Sequence, residues 1–215
     1  MSKTALIFWG GWEGHTPARS SAVVSEILTG HGFEVRIEEG TSALADPQLP
    51  AIDLIVPVIT MSTIEKPELQ NLTAAVSGGT GLAGFHGTMG DSFRNEPAYQ
   101  FMTGGQWVAH PGDIIDYRVD IISDDPIVRG IEGFAYHSEQ YYMHVDPSNE
   151  VLATTTFSGE HLDFIDGVVM PVVWKRRYGK GRVFFSALGH TADEFSVPQM
   201  RTILERGVLW ASRSA

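Results

Sequence analysis

Apolar residues in the first third of the chain fall in short unbroken runs separated by stretches of helical period. Thr4–Phe8 is one run, closed by Trp9-Gly10-Gly11; Phe33–Ile37 is a second strand, Asp53–Ile59 a third, almost continuously apolar, and Thr80–Phe85 a fourth. Continuous rather than alternating apolarity marks strands covered on both faces, as in parallel sheets. Thr16-Pro17 reads as a helix start, with Thr as cap and Pro at the first helical position. Val23/Ile27 and Val24/Leu28 stack four residues apart, and Gly30-His31-Gly32 ends that helix. Pro67–Val76 is a second helix, with Leu69, Leu72 and Val76 on one side. Strands and helices alternating at this spacing predict a parallel α/β sheet with right-handed crossovers.

The middle of the chain, Arg94–Thr156, is less regular and richer in aromatics, glycine and histidine. Ile114–Ile122 and Val151–Phe157 are strand-like, and Pro126–Gly130 is a turn. Val168–Arg176 and Arg182–Ser186 flank Tyr178-Gly179-Lys180-Gly181, a hairpin signal that places two antiparallel strands at one side of the sheet. Ser196 with Gln199 three residues on reads as a capping box. The helix it opens would bury Met200, Ile203, Leu204, Val208 and Ala211. No repeat, low-complexity tract or linker interrupts the pattern, so residues 1–215 are read as one domain.

Composition narrows the chemistry. The chain carries no cysteine, which removes disulfides, Cys-bound zinc, iron–sulfur clusters and thiol nucleophiles. Its net charge of -11 argues against nucleic acid or an anionic membrane as partner. The N-terminus lacks a secretory signal pattern and no stretch has the ~20 apolar residues of a membrane span, so a cytoplasmic location is expected. Self-association is compatible with a homo-oligomer, although no apolar surface stripe points to it.

In open parallel sheets, ligands bind beyond the carboxyl ends of the strands. Polar residues collect there in this sequence: His15 after the first strand, His86-Gly87-Thr88 after the fourth, and His190 after Arg182–Ser186. The plainer reading, that each His caps a helix or bonds a loop carbonyl, stands beside this one. Gly84-Phe85-His86-Gly87-Thr88 has the glycine pattern of a sharp strand-to-helix turn that lifts one side chain into a pocket. Here that side chain is an imidazole, suited to proton transfer or metal ligation. Gly79-Thr80-Gly81-Leu82-Ala83-Gly84 matches a dinucleotide fingerprint but precedes and enters a strand, so it reads as a helix stop.

Tyr136–His144 is the densest polar–aromatic cluster. If extended, it aligns His137, Glu139 and Tyr141 on one face, with an ordinary edge strand as the alternative. In Gly104–Pro111, Trp107 reads as a core or lid anchor and His110 as part of a loop closing over a site. No cofactor is expected from any motif. There is no H-E-x-x-H, but a divalent metal such as zinc stays open, with His86, His190 and Glu139 as ligands from separate loops.

Gly84–Gly87, Gly104–Pro111, Pro171–Phe185 and Leu188–His190, in this order, resemble the trehalose-utilisation (ThuA-like) family. That resemblance implies the class I glutamine amidotransferase-like, flavodoxin-type fold, with helices on both faces of a mostly parallel sheet. It places His86 at the elbow where amidotransferase relatives carry a nucleophilic Cys, and it implies a small-molecule carbohydrate ligand. Ser138-Glu139-Gln140-Tyr141 departs from the family's usual Asp-Glu-Leu-Tyr. The expected function is sugar processing by acid/base chemistry, as hydrolysis, elimination or isomerisation. His86, Glu139 and His190 are the expected catalytic residues. Trp9, Gly10, Gly11, His15, Gly87, Thr88, His110 and Tyr141 are the expected substrate contacts. The alternative is a non-catalytic sugar-binding or regulatory module with Trp9, Trp12, Trp107 and Tyr141 as stacking surfaces.

Overall fold

The structure, a computed structural model, describes residues 2–213. The four expected strands form β1 (Lys3–Gly11), β2 (Phe33–Glu39), β3 (Leu54–Thr60) and β4 (Gly81–Phe85). Strand β3 is buried throughout, as its unbroken apolarity predicts. The remaining strands are β5 (Gly105–Ala109), β6 (Ile114–Ile121), β7 (Phe134–Glu139), β8 (Tyr142–Val145), β9 (Glu150–Thr156), β10 (Val169–Tyr178) and β11 (Gly181–Ser186). Nine of them form one sheet in the order β2-β1-β3-β4-β11-β10-β9-β6-β7, while β5 and β8 pair separately as an antiparallel ladder.

Strands β2, β1, β3, β4 and β11 are mutually parallel, in the 2-1-3-4-5 order of flavodoxin-like sheets. From β1 the chain passes to β2 on one side and β3 on the other, so the order reverses between β1 and β3 and a crevice opens there. Helices α1 (Pro17–Gly30) and α5 (Pro198–Ala211) lie on one face, both against the 3-10 turn Ala192–Ser196. Helices α2 (Lys66–Gly78) and α4 (Pro97–Thr103) pack together on the other, with the short α3 (His86–Gly90) against β3. Beyond β11 every pairing is antiparallel, from β10 through β9 and β6 to β7. The expected hairpin is therefore β10–β11, and it begins a four-strand antiparallel side rather than forming the sheet's border.

Two helix starts differ from their sequence signals. Thr16 makes no side-chain cap; it sits in the left-handed region at φ 47, and its hydroxyl oxygen accepts from the Ala192 N–H at 2.9 Å. Ser196 is no cap either: its hydroxyl donates to the Asp193 carbonyl, and α5 starts at Pro198. The reciprocal capping box lies at Glu65 and Glu68 on α2.

Candidate active site

The segment leaving β4 sets the centre of the site. His86 follows Phe85 with φ 47, a conformation that costs a non-glycine residue ~1–2 kcal/mol. Small neighbours let the turn close: a Cβ on Gly84 would lie 2.5 Å from Met89 Cβ, and one on Gly87 would lie 2.3 Å from His15 Cε1. The turn buries the His86 imidazole completely and stacks it on Tyr141, with ring centroids 4.0 Å apart. His86 Nδ1 is 2.8 Å from the Ala187 carbonyl oxygen. A carbonyl can only accept, so Nδ1 carries a proton and donates it there.

Nε2 of the same ring faces two groups carried by different strands. Glu139 Oε2, from the last residue of β7, is 3.0 Å away, and His190 Nδ1, from the loop after β11, is 3.2 Å away. His190 Nδ1 and Glu139 Oε2 are themselves 3.4 Å apart. Glu194 fixes this arrangement: its carboxylate accepts from the His190 backbone N–H, the Ser138 hydroxyl and the Tyr136 hydroxyl, which ties the 188–190 loop to β7. His15 enters from the turn Glu13–His15 after β1, its Nδ1 2.8 Å from the Thr60 hydroxyl at the end of β3. One ligand atom each from His15, His86, Glu139 and His190 falls within 4.8 Å of the others.

Burial, together with the neighbouring His86 and His190 rings, lowers the His15 pKa to about 2, so this imidazole is neutral. Burial would raise Glu139, but the bonds from His190 and His86 outweigh it and hold the group well below the usual carboxylate range. For His190 burial acts downward, yet contact with Glu139 prevails and the net shift is upward. Burial, then the Glu139 and Asp91 charges, pushes the Tyr141 phenol far above its ordinary range, so it stays protonated.

A cleft of about 510 Å³ opens above this cluster, with Glu139, His15 and Tyr141 in its lining. Trp12 and Met61 stand exposed at its mouth, Trp12 edge-on to His15 at 4.8 Å. On the opposite wall Arg94 lies 4.9 Å over the Trp107 ring and forks onto both oxygens of Asp91 at 2.7 Å each. The Trp107 indole N–H is buried with no hydrogen-bond partner. His110 sits on the rim, its Nε2 3.8 Å from Glu139 Oε1.

The structure thus brings His86, Glu139, His190, His15, Tyr141 and the Gly87 backbone together, with His110 beside them. It does not bring the rest. Trp9 packs against the core inside β1, and Gly10 and Gly11 belong to the β1–β3 ladder, where a Cβ on Gly11 would lie 1.9 Å from the Thr60 carbonyl oxygen. Their place at the cleft is taken by Trp12. Thr88 is buried and its hydroxyl turns back to the Phe85 carbonyl. The run 136–144 is not one strand, since β7 ends at Glu139 and β8 begins at Tyr142, and His137 stays exposed beside Asp116 instead of joining the cluster. Trp107 lines the cleft as well as anchoring it. Asp91 and Arg94 were not singled out from the sequence; they lie three apart just beyond the end of α3, where the chain's turn brings them together.

Fold and site together define a flavodoxin-like α/β protein whose strand-to-helix elbow holds an imidazole in a His₃Glu cluster. The chain belongs to the ThuA family, described as trehalose utilisation, whose family model matches residues 4–211. A ThuA-like protein from Bacteroides uniformis superposes with a TM-score of 0.81 at 19% identity, over 97% of this chain and 91% of that one. A ThuA-like protein from Parabacteroides merdae gives a TM-score of 0.77 at 20% identity, over 98% and 89%. A β-galactosidase from Bacillus circulans gives 0.58 at 14% identity, over 96% of this chain but 31% of that one. At these identities the likeness is one of fold. No curated protein matches the chain in sequence. Among the described residues no helix is long and apolar enough to cross a membrane.

Proposed function

We propose that the protein is an enzyme of sugar catabolism that acts on a disaccharide or keto-sugar by proton transfer at the His86–Glu139–His190 cluster. The observation that carries this reading is the convergence of three imidazoles and one carboxylate beside an aromatic-walled cleft, whose lining His15 and Glu139 reach while His86 lies buried behind them. A sugar ring offers apolar C–H faces and many hydroxyls. Trp12, Trp107 and Tyr141 present flat surfaces for the first; Arg94 and His110 present donors for the second. The family's link to trehalose utilisation supports a sugar ligand. With no cysteine in the chain, a thioester route is closed, and titratable groups beside a carbonyl or glycosidic oxygen suit elimination, isomerisation or hydrolysis.

The test is to incubate the protein with trehalose and with its keto derivative, following product by mass spectrometry and binding by calorimetry. Product is expected from at least one of them, falling about 10²–10⁴-fold in His86→Ala. Binding heat with no product from the wild-type protein would overturn the enzymatic reading and leave a sugar-binding module. Undiminished turnover by His86→Ala would overturn the role of the cluster.

A further inference from the structure

The three atoms at the heart of the cluster pose a bonding problem of their own. His86 Nε2, His190 Nδ1 and Glu139 Oε2 form a triangle with edges of 3.0, 3.2 and 3.4 Å. An ionised carboxylate only accepts, so both ring nitrogens must be donors to bond to it. The two nitrogens would then face each other donor to donor at 3.2 Å. With His86 Nδ1 already donating to Ala187, this assignment also makes a fully buried imidazole a cation. Protons alone therefore leave an ionised triangle with one repulsive edge.

A metal ion removes that conflict, because all three atoms then point lone pairs at one centre. The triangle has the dimensions such an ion needs. Zinc bonds nitrogen and oxygen at about 2.0–2.1 Å, and tetrahedral geometry at that length places neighbouring ligand atoms about 3.3–3.4 Å apart. The second shell is also in place. Metal-bound imidazoles characteristically donate their other N–H to a backbone carbonyl or carboxylate, and His86 does so to Ala187. The four-residue set closes only within 4.8 Å, longer than a tetrahedral edge, so His15 stands back from the other three.

We propose that His86, His190 and Glu139 bind one zinc-class divalent cation, leaving its fourth position open toward the cleft beside His15. Two imidazoles and a carboxylate with an open position are a donor set of catalytic rather than structural zinc sites. Such an ion polarises a sugar carbonyl or alkoxide oxygen and acidifies a bound water to a pKa of about 7. That use rests on the enzymatic reading above; the binding of the ion does not.

The experiment takes the full chain, purified without a histidine tag and stripped by chelator, and titrates it calorimetrically with Zn²⁺, Co²⁺ and Mg²⁺. One Zn²⁺ or Co²⁺ per chain is expected, with a visible ligand-field band for Co²⁺ and no heat from Mg²⁺. Loss of an outer partner alone weakens metal sites ~10–100-fold. Glu139→Gln and His190→Ala, checked for folding by circular dichroism, should therefore weaken Zn²⁺ by about 100-fold or more, whereas His15→Ala keeps one ion per chain. No stoichiometric ion in the wild-type protein, unchanged affinity in Glu139→Gln and His190→Ala, or loss of the ion in His15→Ala would each overturn the assignment. Zn²⁺ bound without any sugar conversion would leave the metal site standing and refute the enzyme. Sugar conversion by the chelated, ion-free protein would leave the enzyme standing and refute the ion's part in the reaction, while the titration alone decides whether the site binds it.

Discussion

Gly87→Ala tests the geometry of the site with one methyl group. The new Cβ would lie 2.3 Å from His15 Cε1, 3.0 Å from His15 Nδ1 and 2.9 Å from the Tyr141 hydroxyl oxygen. Carbon atoms in contact sit about 3.5–4.0 Å apart, so the His15 ring or the elbow backbone must give way by roughly 1 Å. His15 cannot retreat freely, because its Nδ1 is bonded to Thr60 at 2.8 Å and its ring packs edge-on to His86 and Trp12. Overpacking of this kind costs ~1–3 kcal/mol, against ~1 kcal/mol gained by replacing a helical glycine with alanine. The net loss of up to ~2 kcal/mol lowers Tm by about 2–4 °C per kcal/mol for a chain of this size. A displacement of ~1 Å at the reacting groups costs about 100-fold in rate. Gly78→Ala, at the exposed end of α2 where a Cβ meets nothing within 4 Å, supplies the control and should leave Tm unchanged or slightly raised. Thermal unfolding and product formation, measured on both variants, decide the matter. A Gly87→Ala protein with wild-type Tm and wild-type turnover would show that His15 and Tyr141 do not close on the elbow as described.

Two further outcomes follow from the packing and charge of the scaffold. A Cβ on Gly207 of α5 would meet the ring of fully buried Phe184 at 2.3 Å, so Gly207→Ala should lower Tm despite its helix propensity, and by less in a Phe184→Leu background. At the half-buried ion pair of Asp125 and Lys175, burial acts to raise the Asp125 pKa, but the Lys175 and Ile127 bonds outweigh it and the folded value lies below the unfolded ~3.9. Its stabilisation is therefore complete above that unfolded pKa and is lost as pH falls through the folded one. Asp125→Asn should flatten this acid limb in denaturant titrations run at successive pH values, and cost about 1.5–3 kcal/mol at neutral pH.

What the sequence revealed followed how local each signal is. The strands of the parallel half are legible because burial on both faces demands apolar residues at every position, as in β3. The antiparallel side was read only in part. Strand β6 alternates exposed and half-buried residues at the sheet's far side, and nothing in Ile114–Ile121 says that it pairs with both β7 and β9. The caps misled for a related reason. Ser196 and Thr16 have capping side chains, but other partners claim them: the carbonyl of Asp193 in the preceding turn takes the first, and the Ala192 amide, distant in sequence, draws the hydroxyl of the second. The elbow at His86 was legible because its glycines are needed within the segment itself. The grouping of His15 with His86, Glu139 and His190 could be inferred only as far as the strand order allowed.

That strand order also explains why the cluster lies where it does. Strands β3 and β4 pair only through Leu54–Gly81 and Ile55–Leu82, then separate, and Pro57, which offers no N–H, lies in the separated part of β3. The gap lets α3 pack against β3, which holds His86 on the cleft side of the sheet beside the β1–β3 reversal. His15 and Thr60 arrive from the two strands of that reversal, and His190 from the neighbouring β11. Glu139 comes from β7, at the far end of the sheet order, and is carried back by the bend at Gln140–Tyr141 between β7 and β8. Gln140 secures that bend by donating to the Thr155 hydroxyl on β9. A parallel half alone would thus bring the imidazoles together without the carboxylate that bonds them. The antiparallel extension delivers the one carboxylate that joins His15, His86 and His190 in the cluster.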